Sequence, residues 1–343
     1  MSARSRLLVC AAVLGALHLG VACAGFFAPY DPAAQDREHP YAPPMRPHFV
    51  DTQGRSHLRP FFYAQALRTG SFEEYAENRA TAIPVKFFVS GAPFRVLGLL
   101  PLRVHLFGGG GVPIFLLGSD AYGRDLLSRV LFGGQVSLLA GLIGAGLTLS
   151  IGLCIGAVAG FWGGWRDQVL MRVAELFLAL PWIYLLFAMR AFLPLTVPPL
   201  QAFLLVVMVL AVVGWARPAR IVRGIVLSAK ERDFVRAARG FGASDAYLLR
   251  RHIFPQTASV VLTQAAILVP HFVLAEMTLS FLGLGVPEPV PSWGNMLAAL
   301  QHYNVLVSYW WMYLPALVMV PFFLGYLVLA SLLHGSYGTS KIE

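Results

Sequence analysis

The stretch from Gln135 to Phe161 reads QVSLLAGLIGAGLTLSIGLCIGAVAGF and carries no charged residue. A helix that crosses a lipid bilayer needs about 20 mostly apolar residues, so this stretch predicts a membrane-spanning helix. The composition of the whole chain agrees, because 57% of its 343 residues are hydrophobic, 13% are charged and the mean hydropathy is +0.66. Such values exclude an ordinary soluble domain and place most of the chain in lipid.

Five more segments are long and apolar enough to cross a bilayer. With 135–161 they give six predicted spans, the others being 7–28, 169–193, 198–216, 257–282 and 310–333. We therefore predict an all-α membrane protein with six transmembrane helices and an extracytoplasmic insertion between the first and the second. Its predicted domains are the N-terminal segment with the first helix (1–28), the insertion (29–116) and a five-helix core (117–343).

Positive charge sets the predicted orientation. The loop from Arg217 to His252 holds nine Lys and Arg residues against three Asp and Glu residues. The positive-inside rule places this loop in the cytoplasm, together with the N-terminus that carries Arg4 and Arg6. An even number of spans puts the C-terminus on the same side. We thus expect a multi-pass inner (plasma) membrane protein whose partners include lipid but not nucleic acid. A cleaved signal at the first span is the alternative.

The insertion is rich in proline, arginine, histidine and aromatic residues. The segments 85–89 and 103–107 are typical of short strands, so we expect a small ordered cap of mixed structure. Its histidines are scattered and the three cysteines of the chain lack CxxC spacing, so no metal site is predicted.

Glycines recur at four-residue intervals in the second predicted span, at Gly152, Gly156 and Gly160. Small residues with this spacing allow helix backbones to approach closely within a membrane. We interpret them as a helix-packing face, the alternative being that they line a solute path. Glu276 is an ionisable residue within a span and therefore a possible pathway residue, with a structural hydrogen bond to a neighbouring helix as the equal alternative.

The basic loop contains a short amphipathic helix. Its apolar positions follow helical spacing and are Phe234, Ala237, Ala238 and Phe241. Asp233 is predicted as the N-cap, and Gly240 with Gly242 as the stop. An apolar stripe exposed to the cytosol predicts docking into the groove of a partner protein. The alternative is a helix that lies on the inner leaflet, held by arginines against anionic lipid.

Three segments resemble one family. Arg236-Ala237-Ala238, Gly242 and the following His252-Ile253-Phe254-Pro255 resemble the EAA loop of binding-protein-dependent ABC importer permeases, here within the segment 217–256. Leu117 to Arg129, and Ala275 to Val286 with Pro291 to Leu297, are similar to segments of the dipeptide, oligopeptide and nickel permeases. The similarity covers about 117–297 in order. The chain departs from the family at Arg236, where the family has Glu, and in its longer insertion.

The resemblance implies a permease subunit that moves peptides or similar small solutes. In the family the EAA loop docks into an ATPase, which implies an ATPase-coupling role here for Asp233, Phe234, Arg236, Ala237, Ala238, Phe241 and Gly242. The implied partners are two ATP-binding subunits, a second permease subunit and an extracytoplasmic solute-binding protein. ATP and Mg²⁺ would be bound by partners, with no cofactor in this chain.

The chain lacks enzyme motifs. It has no GxxxxGK[ST] phosphate loop, no HExxH and no GxSxG sequence, so we do not expect it to hydrolyse ATP itself. Two rival functions stay open, which are an ion-gradient-driven secondary transporter and a membrane scaffold that transports nothing.

Overall fold

A computed structural model describes residues 3–67, 74–96, 100–192, 194 and 197–338. The N-terminal helix α1 spans Ala3–Ala22 and is followed, after a break at Cys23, by the short helix α2, Ala24–Phe27. The helix therefore begins earlier than the predicted span 7–28, and it is interrupted at Cys23 before the predicted end. Helix α3, Leu126–Trp162, is longer than the predicted span 135–161, chiefly because it begins earlier and includes the buried Arg129.

One predicted span is a broken helix, and another ends at a bend. The span predicted at 169–193 consists of α4, Gly164–Ala179, and α5, Trp182–Ala191, with a bend of 95° between them. Pro181 lies at this break, and proline removes a backbone donor and prevents a regular helix from continuing. The span predicted at 198–216 is α6, Pro199–Gly214, and it is followed at a bend of 45° by the basic, amphipathic helix α7, Ala216–Lys230.

The helices that follow connect the basic loop to the C-terminal part of the chain. Helix α8 spans Asp233–Gly240 and α9 spans Asp245–Leu248; a π-helical turn, Leu249–Ile253, then leads without a break into α10, Phe254–Phe281. Pro255 is thus inside a continuous helix that starts well before the predicted residue 257. The remaining helices are α11 (Trp293–Ala298), α12 (Tyr303–Ser308) and α13 (Leu314–Gly338), with 3-10 turns at Ala299–Gln301 and Trp310–Tyr313.

The number of spans depends on how the bent pairs are counted. Within the described residues, four helices are long and apolar enough to cross a membrane, or up to six if each bent pair forms one span. A helical membrane protein is therefore established, whereas six spans remain a prediction.

The insertion is built from strands rather than from mixed structure. The strands are β1 (His48–Val50), β2 (Ser56–Leu67), β3 (Tyr75–Pro84), β4 (Lys86–Val96) and β5 (Leu100–Gly108). They form an antiparallel sheet in the order β1-β2-β3 and a separate β4-β5 hairpin. Both predicted strands are confirmed, since 85–89 overlaps β4 and 103–107 lies within β5. The "all-α" prediction thus fails for this segment.

The chain divides into two compact units. One comprises residues 1–14, 138–279 and 322–343, and the other comprises 15–137 and 280–321. The first unit holds the basic loop and most of the long helices. The second holds the five strands found among the described residues.

Candidate functional site

The basic loop forms the short helix that the sequence predicts, with a different start. Helix α8 begins at Asp233, its N-cap is Arg232 in extended conformation, and no side chain caps it. Asp233 is therefore the first helical residue and not the N-cap. Its carboxylate still interacts favourably with the positive end of the helix dipole there. The predicted stop is confirmed, because the helix ends at Gly240 and Gly242 has φ +84°, a conformation that suits glycine.

One face of α8 packs into the core of its own unit. Val235 is buried in a cluster with Val222, Val226, Leu248 and Ile253. Ala238 is partly buried and packs against the same cluster. Sequence reasoning missed Val235, although its i, i+3 spacing from Ala238 could have marked a second apolar face. The helix is therefore anchored, so that whatever binds its outer face is connected to α7 and α10.

A neighbouring face of α8 is apolar and open. Phe234 is 44% exposed and Phe241 is 93% exposed, and Ala237 is exposed between them. The centres of the Phe234 and His252 rings lie 5.7 Å apart. Of the four predicted stripe residues, the structure brings these three together on one surface and turns Ala238 toward the core. We call Phe234, Ala237 and Phe241 the outer face of α8.

The arginines of the loop make contacts within the chain. Arg236 donates a hydrogen bond to the Glu231 carboxylate, and this bond holds the pKa of Glu231 below its usual value. The Arg239 guanidinium lies 5.3 Å from the centre of the Phe161 ring, a cation–π distance. Arg236, which replaces the glutamate of the resembling family, thus has an acidic partner of its own in the loop.

The three spaced glycines of α3 face α7 at very short range. A methyl group at Gly156 would lie 2.5 Å from the Ala219 carbonyl oxygen and 2.8 Å from the Val222 Cβ. At Gly152 and Gly160 the corresponding nearest distances, to α7 atoms, would be 2.7 Å and 2.9 Å. Real Cβ atoms do not approach other atoms so closely, so α7 lies where only glycine leaves room. The arrangement ties the position of α7 to that of α3.

An ion pair joins α7 to α4. Arg223 donates through Nε to Asp167 Oδ1 at 2.5 Å and through Nη2 to Oδ2 at 2.6 Å. This bidentate geometry fixes both orientation and distance. Sequence reasoning did not identify the pair, because the two residues are far apart in the chain and only the fold brings them together.

A cavity lies beside the α4–α5 break, the bend between α6 and α7, and the middle of α10. It encloses about 400 Å³, and its lining includes Pro181 at the α4–α5 break, Gly214 at the end of α6, and His271, which follows Pro270 inside α10. Irregular backbone at membrane depth is tolerated where it lines a cavity, and interrupted helices commonly surround solute sites in transport proteins. The volume lies within the range of small-molecule sites.

The lining of this cavity is apolar with a few polar groups. Arg217 is its one charged lining residue, and Gln264, His271 and Trp182 supply the polar atoms; the His271 and Trp182 rings lie 4.4 Å apart. Such a lining suits an apolar solute that carries a negative group. Glu276 is fully buried and does not line this cavity, and both interpretations of it, as a pathway residue and as a structural one, stay predictions.

A buried charge cluster organises the second unit. Arg124 donates to Asp120 at 2.7 Å and to Glu288 at 2.6 Å, and Arg129 donates to Glu288 at 2.9 Å. Asp120, Arg124 and Arg129 are buried, and the exposed Glu288 supplies the second acid that balances the two arginines. Beside them Asp125 accepts hydrogen bonds from the backbone and hydroxyl of Ser128 at the start of α3. Burial raises the pKa of Asp125 to about 6.

The charge cluster explains why the segment 117–129 is rich in charged residues. Arg124 and Arg129 bind Glu288, a residue far along the chain, and together with Asp120 they border a cavity of about 600 Å³ in the same unit. The sequence singled out this segment by its resemblance to the permease family, but it did not identify Glu288 as the partner of the two arginines. In the described part of the chain, no group of three or more His, Cys, Asp or Glu side chains is arranged to hold a metal ion.

Comparison with known proteins agrees with this arrangement. Residues 152–337, more than half of the chain, match the family described as binding-protein-dependent transport system inner membrane component. An oligopeptide transport system permease protein of Bacillus subtilis is 35% identical over 203 residues, which are 58% of this chain and 63% of that protein. A dipeptide transport system permease protein of the same organism is 36% identical over 200 residues, covering 58% and 60%.

A third relative and one solved structure complete the picture. An oligopeptide transport system permease protein of Haemophilus influenzae is 37% identical over 201 residues, covering 58% of this chain and 62% of that protein. The chain therefore matches less than two thirds of the length of these relatives. It also aligns with the MetNI methionine ABC transporter in an inward-facing conformation at 16% identity and a TM-score of 0.44, over 60% of this chain and 96% of that chain.

The family match takes in the C-terminal end of α3 from residue 152, the helices α4 to α7, the whole basic loop with the outer face of α8, and α10 to α13 as far as residue 337. The glycine face and the cavity also lie inside the matched range. On these grounds the chain belongs to the family of binding-protein-dependent transport system inner membrane components.

Proposed function

We propose that this chain is a membrane-spanning subunit of an ATP-driven importer for peptides or similar small solutes. The outer face of α8 carries the proposal, because three apolar residues lie open on a helix whose other face is anchored in the core. The family match supports it, and so do the relatives whose names describe oligopeptide and dipeptide permeases.

The proposed partner of this face is an ATP-binding subunit. Phe241 projects beyond the end of the helix with 93% of its surface exposed, as an aromatic anchor for a pocket would. Docked in this way, a movement of the ATPase would displace α8, and the buried Val235 would pass the displacement to α7. The Arg223–Asp167 ion pair would carry it on to α4 and hence to the helix break.

The remaining partners follow from the family. We propose a second permease subunit, two ATP-binding subunits and an extracytoplasmic solute-binding protein, with ATP and Mg²⁺ held by the ATPases and no cofactor in this chain. Both termini and α8 would face the cytoplasm, and the strands of the insertion would lie outside. The positive charge of the loop supports this orientation.

We further propose that the cavity at the helix breaks belongs to the solute path. Its single cationic residue, Arg217, has no ion pair among the described residues, and the cavity has no acidic lining residue. A guanidinium binds carboxylates well, and the apolar walls suit an aliphatic or aromatic side chain. A peptide that presents its C-terminal carboxylate fits both features.

Purification of the native complex in mild detergent tests the proposed function. ATPase subunits and a solute-binding protein should co-purify, and the complex in vesicles should take up peptide only with hydrolysable ATP. Uptake that follows an ion gradient and ignores the nucleotide would identify a secondary transporter instead. A chain that purifies without any ATPase would favour the scaffold.

A further inference from the structure

The β4-β5 hairpin stands apart from the other strands of its unit. It is a two-stranded ribbon paired from Lys86 and Gly108 at its base to Val96 and Leu100 near its tip. An isolated two-stranded hairpin is marginally stable in water and needs a third element or an apolar surface against which to pack. One covering element is α2, which touches the middle of the hairpin.

Two contacts set the direction of the hairpin relative to the first helix. His105 Nδ1 lies 2.6 Å from the Ala28 carbonyl oxygen, and the Phe94 ring packs on the backbone of Gly25. Phe94 pairs with Leu102, so the step from His105 to Leu102 leads toward the hairpin tip. The matching step from Ala28 to Gly25 leads back toward α1. The tip of the hairpin therefore points toward the membrane-spanning helix and not away from it.

The tip half of the hairpin has an apolar face and a basic face. Leu100, Leu102 and Val104 alternate along β5 and so share one face, where Leu100 is 65% exposed and Leu102 is 45% exposed. Arg103 lies on the opposite face of β5, and Arg95, which pairs with Pro101, lies on that same opposite face. Both arginines are exposed, and none of the residues described in the tip half is acidic.

We propose that the tip half of the hairpin lies in the interfacial layer of the bilayer beside the end of α1. The apolar face would contact acyl chains, and the two arginines would reach the phosphates of the lipid headgroups. Phospholipid is the occupant that fits all three features: a tip directed toward a span, exposed leucines at alternate positions, and cationic side chains on the other face. This contact does not depend on ATP-driven transport.

Site-directed spin labelling of the whole protein in phospholipid vesicles tests the proposal. The background replaces Cys10, Cys23 and Cys154 with alanine, and single labels are placed at Leu102 and, as a matched control, at Leu58 of the other sheet. Leu58 is 102% exposed, so both positions tolerate a label. Oxygen concentrates in acyl chains, whereas a water-soluble nickel chelate does not, and the ratio of the two collision rates reports the surroundings.

We expect the label at Leu102 to collide several-fold more with oxygen, relative to the chelate, than the label at Leu58. Equal ratios at the two positions would overturn the proposal, since the tip would then lie in water. A label at Leu102 that meets neither reagent would overturn it too, because a protein partner would cover the face. If the Leu102 variant does not fold, a label at Leu100 replaces it.

Discussion

Replacing Gly156 with alanine tests how tightly α3 packs on α7. The added methyl would lie 2.5 Å from the Ala219 carbonyl oxygen and 2.8 Å from the Val222 Cβ, and neither is the far end of a flexible side chain. The helices must therefore separate by several tenths of an ångström. Overpacking of this kind costs about 1–3 kcal/mol. Alanine also raises helix propensity by about 0.5–1 kcal/mol in water, which obscures a single measurement.

A matched variant removes that second contribution. Gly146 lies in the same helix, and a methyl group there would have no neighbour within 4 Å. Gly146→Ala should gain the helix propensity of alanine without a clash against α7. Gly156→Ala should therefore be less stable than Gly146→Ala by about 1–3 kcal/mol. Unfolding of both variants in mixed detergent micelles measures this difference. Equal stability, or a more stable Gly156→Ala, would refute the close packing of α3 on α7.

Three further predictions concern other parts of the chain. For Arg217→Gln, uptake of a peptide with a free C-terminal carboxylate, divided by uptake of the same peptide as its C-terminal amide, should fall several-fold. The wild type and the variant use the same solute-binding protein, so an unchanged ratio in an active complex would exclude Arg217 from solute recognition. The pKa of Asp125 is raised to about 6, so the contribution of this carboxyl to stability is fully present below its unfolded pKa and is lost as pH rises through 6. Asp125→Asn should therefore flatten the decline in the free energy of unfolding across pH 4–6. A slope like that of the wild type would contradict this. A reporter fused after Gly54 should be extracytoplasmic and one after Ser228 cytoplasmic, and the reverse pattern would overturn the orientation.

The apolar runs of the sequence located the membrane helices but not their breaks. Each run predicts a span because about 20 apolar residues suffice. Whether Pro181 ends a helix and turns the chain by 95°, while Pro270 lies inside a continuous helix, depends on what packs around each proline. That packing involves residues distant in sequence. The N-terminal boundary of α10 was missed for the same reason, since a π-helical turn bridges two helices that the pattern separates.

The position of helix α8 in the sequence could be predicted, but which of its residues face the core could be predicted only in part. The periodicity of Phe234, Ala237 and Phe241 marked the helix and an apolar stripe. It could not show that Val235 and Ala238 face the core, because Val235 is buried by Leu248 and Ile253, which the fold brings back to α8. The charge cluster shows the same limit, as nothing local to Glu288 identifies the two arginines that bind it.

The coupling role of the outer face of α8 is the central claim, and Ala237→Glu tests it most directly. Ala237 is exposed, so the substitution leaves the core intact, unlike a change at Ala238. A carboxylate buried without a partner costs several kcal/mol, enough to displace a docked helix. Ala34→Glu is the matched control, since it adds the same charge at an exposed alanine of the other unit.

The decisive measurement is ATP-driven peptide uptake together with the amount of ATPase that co-purifies with each variant. The account predicts that Ala237→Glu inserts and folds but loses uptake and its ATPase subunits, while Ala34→Glu keeps both. Co-purification of the ATPases with Ala237→Glu at wild-type stoichiometry, with solute-stimulated hydrolysis and uptake intact, would contradict it.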